Sequence, residues 1–210
     1  MARRLPVARE GWPFILGPAV VAAGLVLAGR RRWALPFAAA SLASLGFFRD
    51  PERQAPAVAN AVLAPADGRV TWAGEDVDDF VGPAIRVSIF LSPLDVHVNR
   101  APIAGLVVAT DYRSGRFVPA FRPEAGALNA RCTLHLQGDS ARVTVVQIAG
   151  VAARRVVCRV GTGDKLLAGE RFGMIRFGSR TDCAMPRGTD VRVRVGDRVT
   201  GGVSVLGVLG

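Results

Sequence analysis

A serine, a histidine and an aspartate in this sequence are the residue types from which a protein builds an activated nucleophile. Ser179 follows Gly178 directly after an apolar run, and His97 lies in a polar, turn-rich segment after another apolar run. Asp67 stands in an Asp-Gly pair. In such a set the imidazole accepts the hydroxyl proton and the carboxylate fixes the imidazole tautomer. Singly, each residue has a plainer interpretation as part of a turn or of the scaffold, but the three together favour a nucleophilic serine.

Other familiar catalytic and metal-binding patterns are not recognisable in the sequence. Residues 177–181 read Phe-Gly-Ser-Arg-Thr, which departs from the Gly-x-Ser-x-Gly elbow of α/β-hydrolases. His135 alternates with apolar neighbours and is typical of an ordinary strand residue. No two of the three cysteines have C-x-x-C spacing. We expect these cysteines to behave as small, buried hydrophobic residues of a protein in a reducing compartment. We therefore predict no metal site.

The charge balance predicts a partner or substrate that carries phosphate. The formal net charge is +10, and nearly all of the basic residues are arginine, since Lys165 is the single lysine. Nucleic acid, an anionic membrane and a phosphorylated substrate would all suit this charge. The longest arginine run is residues 30–32 and aromatic residues make up only 7%, which disfavours nucleic acid. Many of the arginines would equally serve as solvated surface.

Two apolar stretches, residues 12–28 and 34–48, predict membrane attachment at the N-terminus. Each is short for a helix that crosses a bilayer, and prolines interrupt both. Trp12 and Trp33 stand where interfacial aromatic residues are expected. A hairpin dipped into one leaflet, two short spans and a pair of buried core helices stay open as alternatives. A cleaved signal peptide is disfavoured, because a second apolar stretch follows the first.

From about residue 60 onward the sequence predicts a mainly β domain, either a sandwich or a barrel. Short β-type runs recur between turn residues, at residues 69–72, 84–91, 106–112, 130–136, 142–148, 154–160, 172–177, 190–195 and 203–208. The turns at residues 64–70 and 196–202 are similar to those of lipoyl-like hybrid β motifs, a fold analogy that carries no function. We expect a hydrophobic, helical membrane-anchoring segment over residues 1–48 and a β-rich catalytic domain over residues 49–210.

Four segments, in this order along the chain, resemble the motifs of the phosphatidylserine decarboxylase family. They are residues 47–53, 65–68, 90–100 and 169–179. The resemblance covers about residues 47 to 185, and the apolar N-terminal region matches in character only. Four motifs in order are far more specific than any one of them. The sequence is therefore similar to the short, self-cleaving and pyruvoyl-dependent type of this family.

The resemblance implies that the chain is a precursor that cuts itself between Gly178 and Ser179. The products would be a β chain of residues 1–178 and an α chain of residues 179–210, held as one heterodimer. The hydroxyl of Ser179 would attack the Gly178 carbonyl with His97 as base and Asp67 holding its tautomer. Elimination and hydrolysis would leave a pyruvoyl group in place of Ser179. This cofactor would form a Schiff base with phosphatidylserine and accept the electrons that departing CO2 leaves behind, giving phosphatidylethanolamine.

Two positions depart from the family pattern. Arg180 follows the serine where many members have threonine, which leaves the bond itself intact. Arg100 stands three residues after His97, where longer relatives have a second histidine. A guanidinium cannot exchange protons but can hold a phosphodiester or carboxylate, so we predict that Arg100 binds the anionic head group. A structural salt bridge, for example to Asp95, is the alternative.

The location and partners follow from the same resemblance. We expect a peripheral or monotopic protein on the cytoplasmic face of the cell membrane, with phosphatidylserine and membrane lipid as partners and no nucleic acid. The occurrence of higher oligomers is left open. Two other functions compete: a pyruvoyl decarboxylase of another amino-lipid or amino acid, and a membrane-tethered hybrid β module without catalysis. The second has no need to keep Asp67, His97 and the Gly178-Ser179 pair together.

Overall fold

A computed structural model of the chain describes residues 6–122, 124–151, 155–176 and 179–210. The chain divides into two units, Met1–Glu52 and Arg53–Gly210. The first unit contains the two apolar stretches, and the second contains the β-type runs. Gly178, one of the predicted cleavage-site residues, lies outside the described residues.

The first unit is a pair of helices, which confirms the helical prediction for this region. A short 3-10 helix (Arg9–Gly11) leads into α1 (Trp12–Leu27), and α2 (Arg31–Phe47) follows after a tight turn. Proline in the first turn of α1 is compatible with helix initiation, because its missing N–H needs no partner there. The Ser41 hydroxyl donates to the Ile15 carbonyl at 2.8 Å and joins the two helices.

Apolar side chains cover the outside of this helical pair. Large side chains of both helices are strongly exposed, among them Leu27 at 89% and Leu35 at 69%. By length and composition, Arg9–Leu27 is apolar enough to cross a membrane, with a mean hydropathy of 1.5 and 17% of the span buried. A contiguous exposed apolar surface is unusual on a soluble protein and typical of one that meets a membrane or a partner. The unit therefore carries an apolar helix that is a candidate for membrane association.

The second unit is mainly β, as the sequence predicts. Its described residues form fourteen strands, β1 to β14 in chain order: Ala61–Leu63, Gly68–Asp78, Gly82–Leu91, Val98–Arg100, Gly105–Arg113, Arg131–Gln137, Arg142–Ala149, Val156–Cys158, Lys165–Leu166, Arg171–Ile175, Ser179–Pro186, Asp190–Val191, Arg198–Val199 and Val205–Val208. A one-turn helix, α3 (Ala125–Leu128), lies between β5 and β6.

Eight of the strands form one curled antiparallel sheet, and the others form two small sheets. The large sheet has the order β13-β2-β3-β11-β7-β6-β5-β9, which places β11 between β3 and β7. The small sheets have the orders β1-β14-β12 and β4-β10-β8. One hydrophobic core joins side chains from all three sheets, including Val145 of β7, Phe172 of β10 and Leu206 of β14. The likeness to lipoyl-like hybrid motifs stays a prediction.

Two details of the strand prediction are wrong. The predicted segments omit Ser179–Pro186, which is the central strand β11. The alternating pattern over residues 190–195 predicts a full strand, but only Asp190–Val191 pairs with β14. The chain turns soon afterwards, because the Asp197 carboxylate accepts the backbone N–H of Arg194 at 2.8 Å. Local turn chemistry therefore overrides the alternation.

Candidate active site

Ser179 is the first residue of β11 and is completely buried. It lies opposite Leu91 of β3 on one side and Ala149 of β7 on the other. Among the described residues, its hydroxyl oxygen has no hydrogen-bond partner. Most buried polar groups are paired, and those that are not concentrate at catalytic and strained positions. The structure thus places this serine where a reactive group is expected.

His97 is also completely buried, just before β4. Its Nδ1 atom lies 2.8 Å from the backbone carbonyl oxygen of Asp95. A carbonyl can only accept, so Nδ1 carries the proton and Nε2 keeps its lone pair in the neutral ring. This tautomer is the one that can accept a proton at Nε2.

Hydrogen bonds connect the segment that carries His97 to β10 and to β11. The N–H of Ile175, the last residue of β10, donates to the His97 carbonyl at 3.1 Å. Two residues beyond His97 and Ser179, the Asn99 amide donates to the Thr181 hydroxyl at 3.1 Å. Side chains two residues apart on extended backbone point to the same side. Ser179 and Thr181 therefore share one face of β11, the face that meets Asn99.

A buried network of amides and a hydroxyl supports this end of the site, and sequence reasoning missed it. The Asn99 oxygen accepts from the Gln147 amide at 2.8 Å, and the Asn99 amide also lies 3.3 Å from the Pro65 carbonyl. Gln147 of β7 is the register partner of Thr181. A glutamine inside the otherwise apolar end of β7 was the available signal, because buried polar side chains require partners.

Asp67 forms a bidentate ion pair with Arg53, at 2.5 and 2.8 Å. The same carboxylate accepts the Gly201 N–H at 2.8 Å. Gly68 completes the turn at φ +148°, and a side chain there would collide with the Phe90 carbonyl. Asp67 therefore joins two turns of the domain, while the described bond at His97 Nδ1 goes to Asp95. The orienting role given to Asp67 stays a prediction.

Arg100 is 2% exposed and lies in β4. One of its guanidinium nitrogens donates to the Gly169 carbonyl at 3.0 Å, and its backbone N–H donates to the Pro65 carbonyl at 2.9 Å. The Asp95 carboxylate, considered above as its salt-bridge partner, lies 3.5 Å from Arg198. The head-group role of Arg100 is not decided by these contacts.

Arg180 has a structural role that sequence reasoning did not foresee. Its side chain points to the face of β11 opposite to Ser179, and it pairs with Asp182 through two contacts of 2.9 and 3.0 Å. Its remaining terminal nitrogen donates to the carbonyls of Arg122 at 3.1 Å and Ala120 at 3.4 Å. Arg180, the residue after Ser179, therefore holds the loop that precedes α3.

The thiol on β11 does not compete with the serine as a nucleophile. Burial, with a further contribution from the nearby Asp182 and Asp78 carboxylates, raises the pKa of Cys183 to about 12, so the thiol stays neutral. Within the described ranges, no group of three histidine, cysteine or acidic side chains is placed to hold a metal ion.

These features define an antiparallel β protein with a completely buried serine and a completely buried histidine. A sequence model of the phosphatidylserine decarboxylase family matches residues 42–207. The phosphatidylserine decarboxylase proenzyme of Nitrosomonas europaea is 46% identical over 202 residues, covering 95% of this chain and 94% of that protein. The proenzyme of Symbiobacterium thermophilum is 48% identical over 212 residues, covering 99% and 97%. That of Geobacter metallireducens is 42% identical over 211 residues, covering 97% of each. The chain belongs to the phosphatidylserine decarboxylase family.

Proposed function

We propose that this protein is a phosphatidylserine decarboxylase made as a proenzyme, which converts phosphatidylserine to phosphatidylethanolamine and CO2 in phospholipid biosynthesis. The observation that carries this function is the identity of 42–48% to phosphatidylserine decarboxylase proenzymes over nearly the whole chain. A non-catalytic β module would have no use for two completely buried polar residues such as Ser179 and His97. The decarboxylase is therefore favoured over the tethered module.

The residues present suit a pyruvoyl group made from Ser179. The Ser179 hydroxyl is completely buried and has no partner among the described residues. Conversion of Ser179 to a pyruvoyl group replaces this hydroxyl donor with a ketone, which has no proton to donate. Once formed, the pyruvoyl group supplies a carbonyl that takes up the substrate amine and an electron sink for the bond that CO2 leaves.

Residues of the chain itself carry out the cleavage, without a protease. Nε2 of His97 takes the hydroxyl proton as Ser179 Oγ attacks the Gly178 carbonyl, and the peptide bond is exchanged for an ester. Loss of the Ser179 α-proton then breaks the bond between Cβ and the ester oxygen. This frees the new carboxylate at Gly178. Water hydrolyses the dehydroalanine that remains, with release of ammonia. The β and α chains of one precursor then form one heterodimer.

The substrate is anionic, and Arg100 is our proposed contact for its head group. Arg100 belongs to the same short strand as Asn99, whose amide reaches the Thr181 hydroxyl of β11. A guanidinium offers paired donors to a phosphodiester or carboxylate, which an ammonium group does not. Weaker substrate binding by Arg100→Lys with normal cleavage would support this role, and loss of cleavage in that variant would remove it.

Membrane attachment is proposed to reside in residues 1–48, with the catalytic domain on the cytoplasmic face. Deletion of residues 1–46 is expected to move the protein from the membrane to the soluble fraction, because it removes the exposed apolar helices. Sedimentation in carbonate measures the shift, and circular dichroism checks that the β domain is still folded. A folded truncated protein that still resists carbonate extraction would contradict the assignment.

The activity is tested with purified full-length protein and phosphatidylserine labelled in its serine carboxyl group. We expect labelled CO2 and phosphatidylethanolamine in equal amounts, with no turnover of free serine. Parallel assays with other amino-lipids distinguish a phosphatidylserine decarboxylase from a decarboxylase of another amino-lipid. Self-cleaved protein that releases no CO2 from phosphatidylserine would overturn the proposed substrate.

A further inference from the structure

The end of β5 and the exposed loop that follows it carry both aromatic and basic side chains. This segment, residues 112–122, is called the aromatic loop below. Its exposed aromatic residues are Tyr112 at 56%, Phe117 at 38% and Phe121 at 65%. Aromatic rings favour the interface between lipid and water, where an apolar body and a polar edge are both accommodated. Three exposed aromatic side chains thus lie within eleven residues, and the Phe121 ring also packs edge-on against Phe90, with ring centroids 6.4 Å apart.

Three arginines lie between and beside these aromatic residues: Arg113, Arg116 and Arg122 are all exposed. Arg113 pairs with Asp111 at 2.7 Å, and Arg122 lies 3.6 Å from Glu124. Exposed pairs of this kind contribute little to stability and exchange readily for another anion. Guanidinium groups bind phosphate through paired hydrogen bonds, so lipid phosphates suit these positions.

The inner side of the aromatic loop is fastened to the backbone around Ser179. The Asn129 side chain exchanges two hydrogen bonds with the backbone of Val118, at 2.7 and 2.8 Å. The same amide donates at 2.6 Å to the carbonyl of Ala149, the register partner of Ser179. A second connection runs from Arg180, the residue after Ser179, to the carbonyls of Arg122 and Ala120.

We propose that the aromatic loop is a docking surface for an anionic lipid bilayer. This inference rests on the proposed function, since a lipid head group must reach a buried serine. The loop meets both requirements of interfacial binding, with Phe117 and Phe121 for the apolar boundary and arginines for the phosphates. The Asn129 side chain fastens the loop to Ala149, the register partner of Ser179.

The kinetic test compares lipid in vesicles with lipid that is dispersed as single molecules. Phe121→Ser in the full chain is expected to lower kcat/KM on phosphatidylserine vesicles about tenfold. This is the effect of losing one aromatic side chain that becomes buried in the bilayer on docking. Turnover of a short-chain, fully dispersed phosphatidylserine should stay within about twofold of the parent enzyme, since no interface is involved. Val77→Ser is the matched control, because Val77 is an 80% exposed apolar residue of β2.

Each kinetic outcome decides the proposal. A loss confined to vesicles supports it, whereas equal losses on both substrates would make Phe121 part of the site or scaffold and overturn it. Unchanged activity on both substrates would overturn it as well. A parent enzyme that is inactive on both substrates would contradict the proposed function instead.

A second measurement does not depend on activity. Phe121→Trp is added to the full chain and mixed with vesicles whose acyl chains carry bromine, a quencher of tryptophan emission. Relative to the unsubstituted protein, we expect extra quenching with vesicles of mixed phosphatidylserine and phosphatidylcholine, and less with phosphatidylcholine alone. Val77→Trp should add none. Absence of extra quenching at position 121 would overturn the docking surface. Self-association of the protein that Phe121→Ser abolishes would also overturn it, because the loop would then bind a second copy of the chain.

Discussion

Purified Ser179→Ala protein is expected to remain one chain of 210 residues, whereas the unsubstituted protein separates into residues 1–178 and 179–210. The substitution removes the only hydroxyl that can attack the preceding carbonyl, and with it the precursor of the pyruvoyl group. Decarboxylation should fall by at least about 10³-fold, since the nucleophile is lost outright. Intact mass spectrometry measures the result. The two chains of the parent should sum to the precursor plus one water and minus one ammonia.

Two further variants separate loss of the nucleophile from damage to the fold. Ser140→Ala, at an exposed serine, should cleave normally. Ser179→Cys keeps a nucleophile of similar size, and we expect slow cleavage through a thioester in place of the ester. Uncleaved Ser179→Ala protein with full activity would remove the pyruvoyl hypothesis altogether.

His97→Ala is expected to accumulate precursor, with cleavage slowed by about 10²–10⁴-fold, the usual contribution of a general base. The buried ring, with Nδ1 held by the Asp95 carbonyl, presents Nε2 as the proton acceptor. A time course of chain separation on denaturing gels after synthesis measures the rate. His135→Ala is the matched control, since that half-buried ring of β6 bonds Thr144 at 3.0 Å and should be dispensable.

Asp67→Asn extends the same experiment to the third proposed residue. Cleavage should slow less than in His97→Ala, because asparagine keeps an acceptor for the Gly201 N–H but weakens the pair with Arg53. The melting temperature of the variant should be followed, since the pair also supports two turns. Cleavage of His97→Ala at the parent rate would show that the assigned base is wrong even where the cleavage bond is right.

The sequence was sufficient for the family, because four ordered motifs are specific where single residues are not. It was also sufficient for the mainly β class, since most strands carry alternating or β-branched side chains. It did not predict β11, because Arg180, Thr181 and Asp182 make a polar central strand. Their burial is acceptable only through long-range partners, such as Asn99 for Thr181. No local pattern reports such pairs.

The same limit applies to the contacts of the proposed catalytic residues. The carboxylate of Asp67 is matched to Arg53, fourteen positions earlier, and the tautomer of His97 is set by a backbone carbonyl two residues away. Backbone acceptors are invisible to residue-type reasoning, because every residue carries one. The sequence therefore predicted the family, while the hydrogen-bond partners of Asp67 and His97 had to be found in three dimensions.

The central position of β11 affects how the processed enzyme withstands heat. Eight residues of this strand pair with β3 and six with β7, so a cut before Ser179 would leave the short chain clamped between two strands of the long one. Once melted, the two pieces would have to find each other by diffusion, and recovery would depend on protein concentration. The uncut chain holds both pieces at high effective concentration, so its refolding would not depend on protein concentration in this way. After cleavage, the activity that remains on heating would therefore depend on the rate of unfolding, because the melted chains would not readily reassemble.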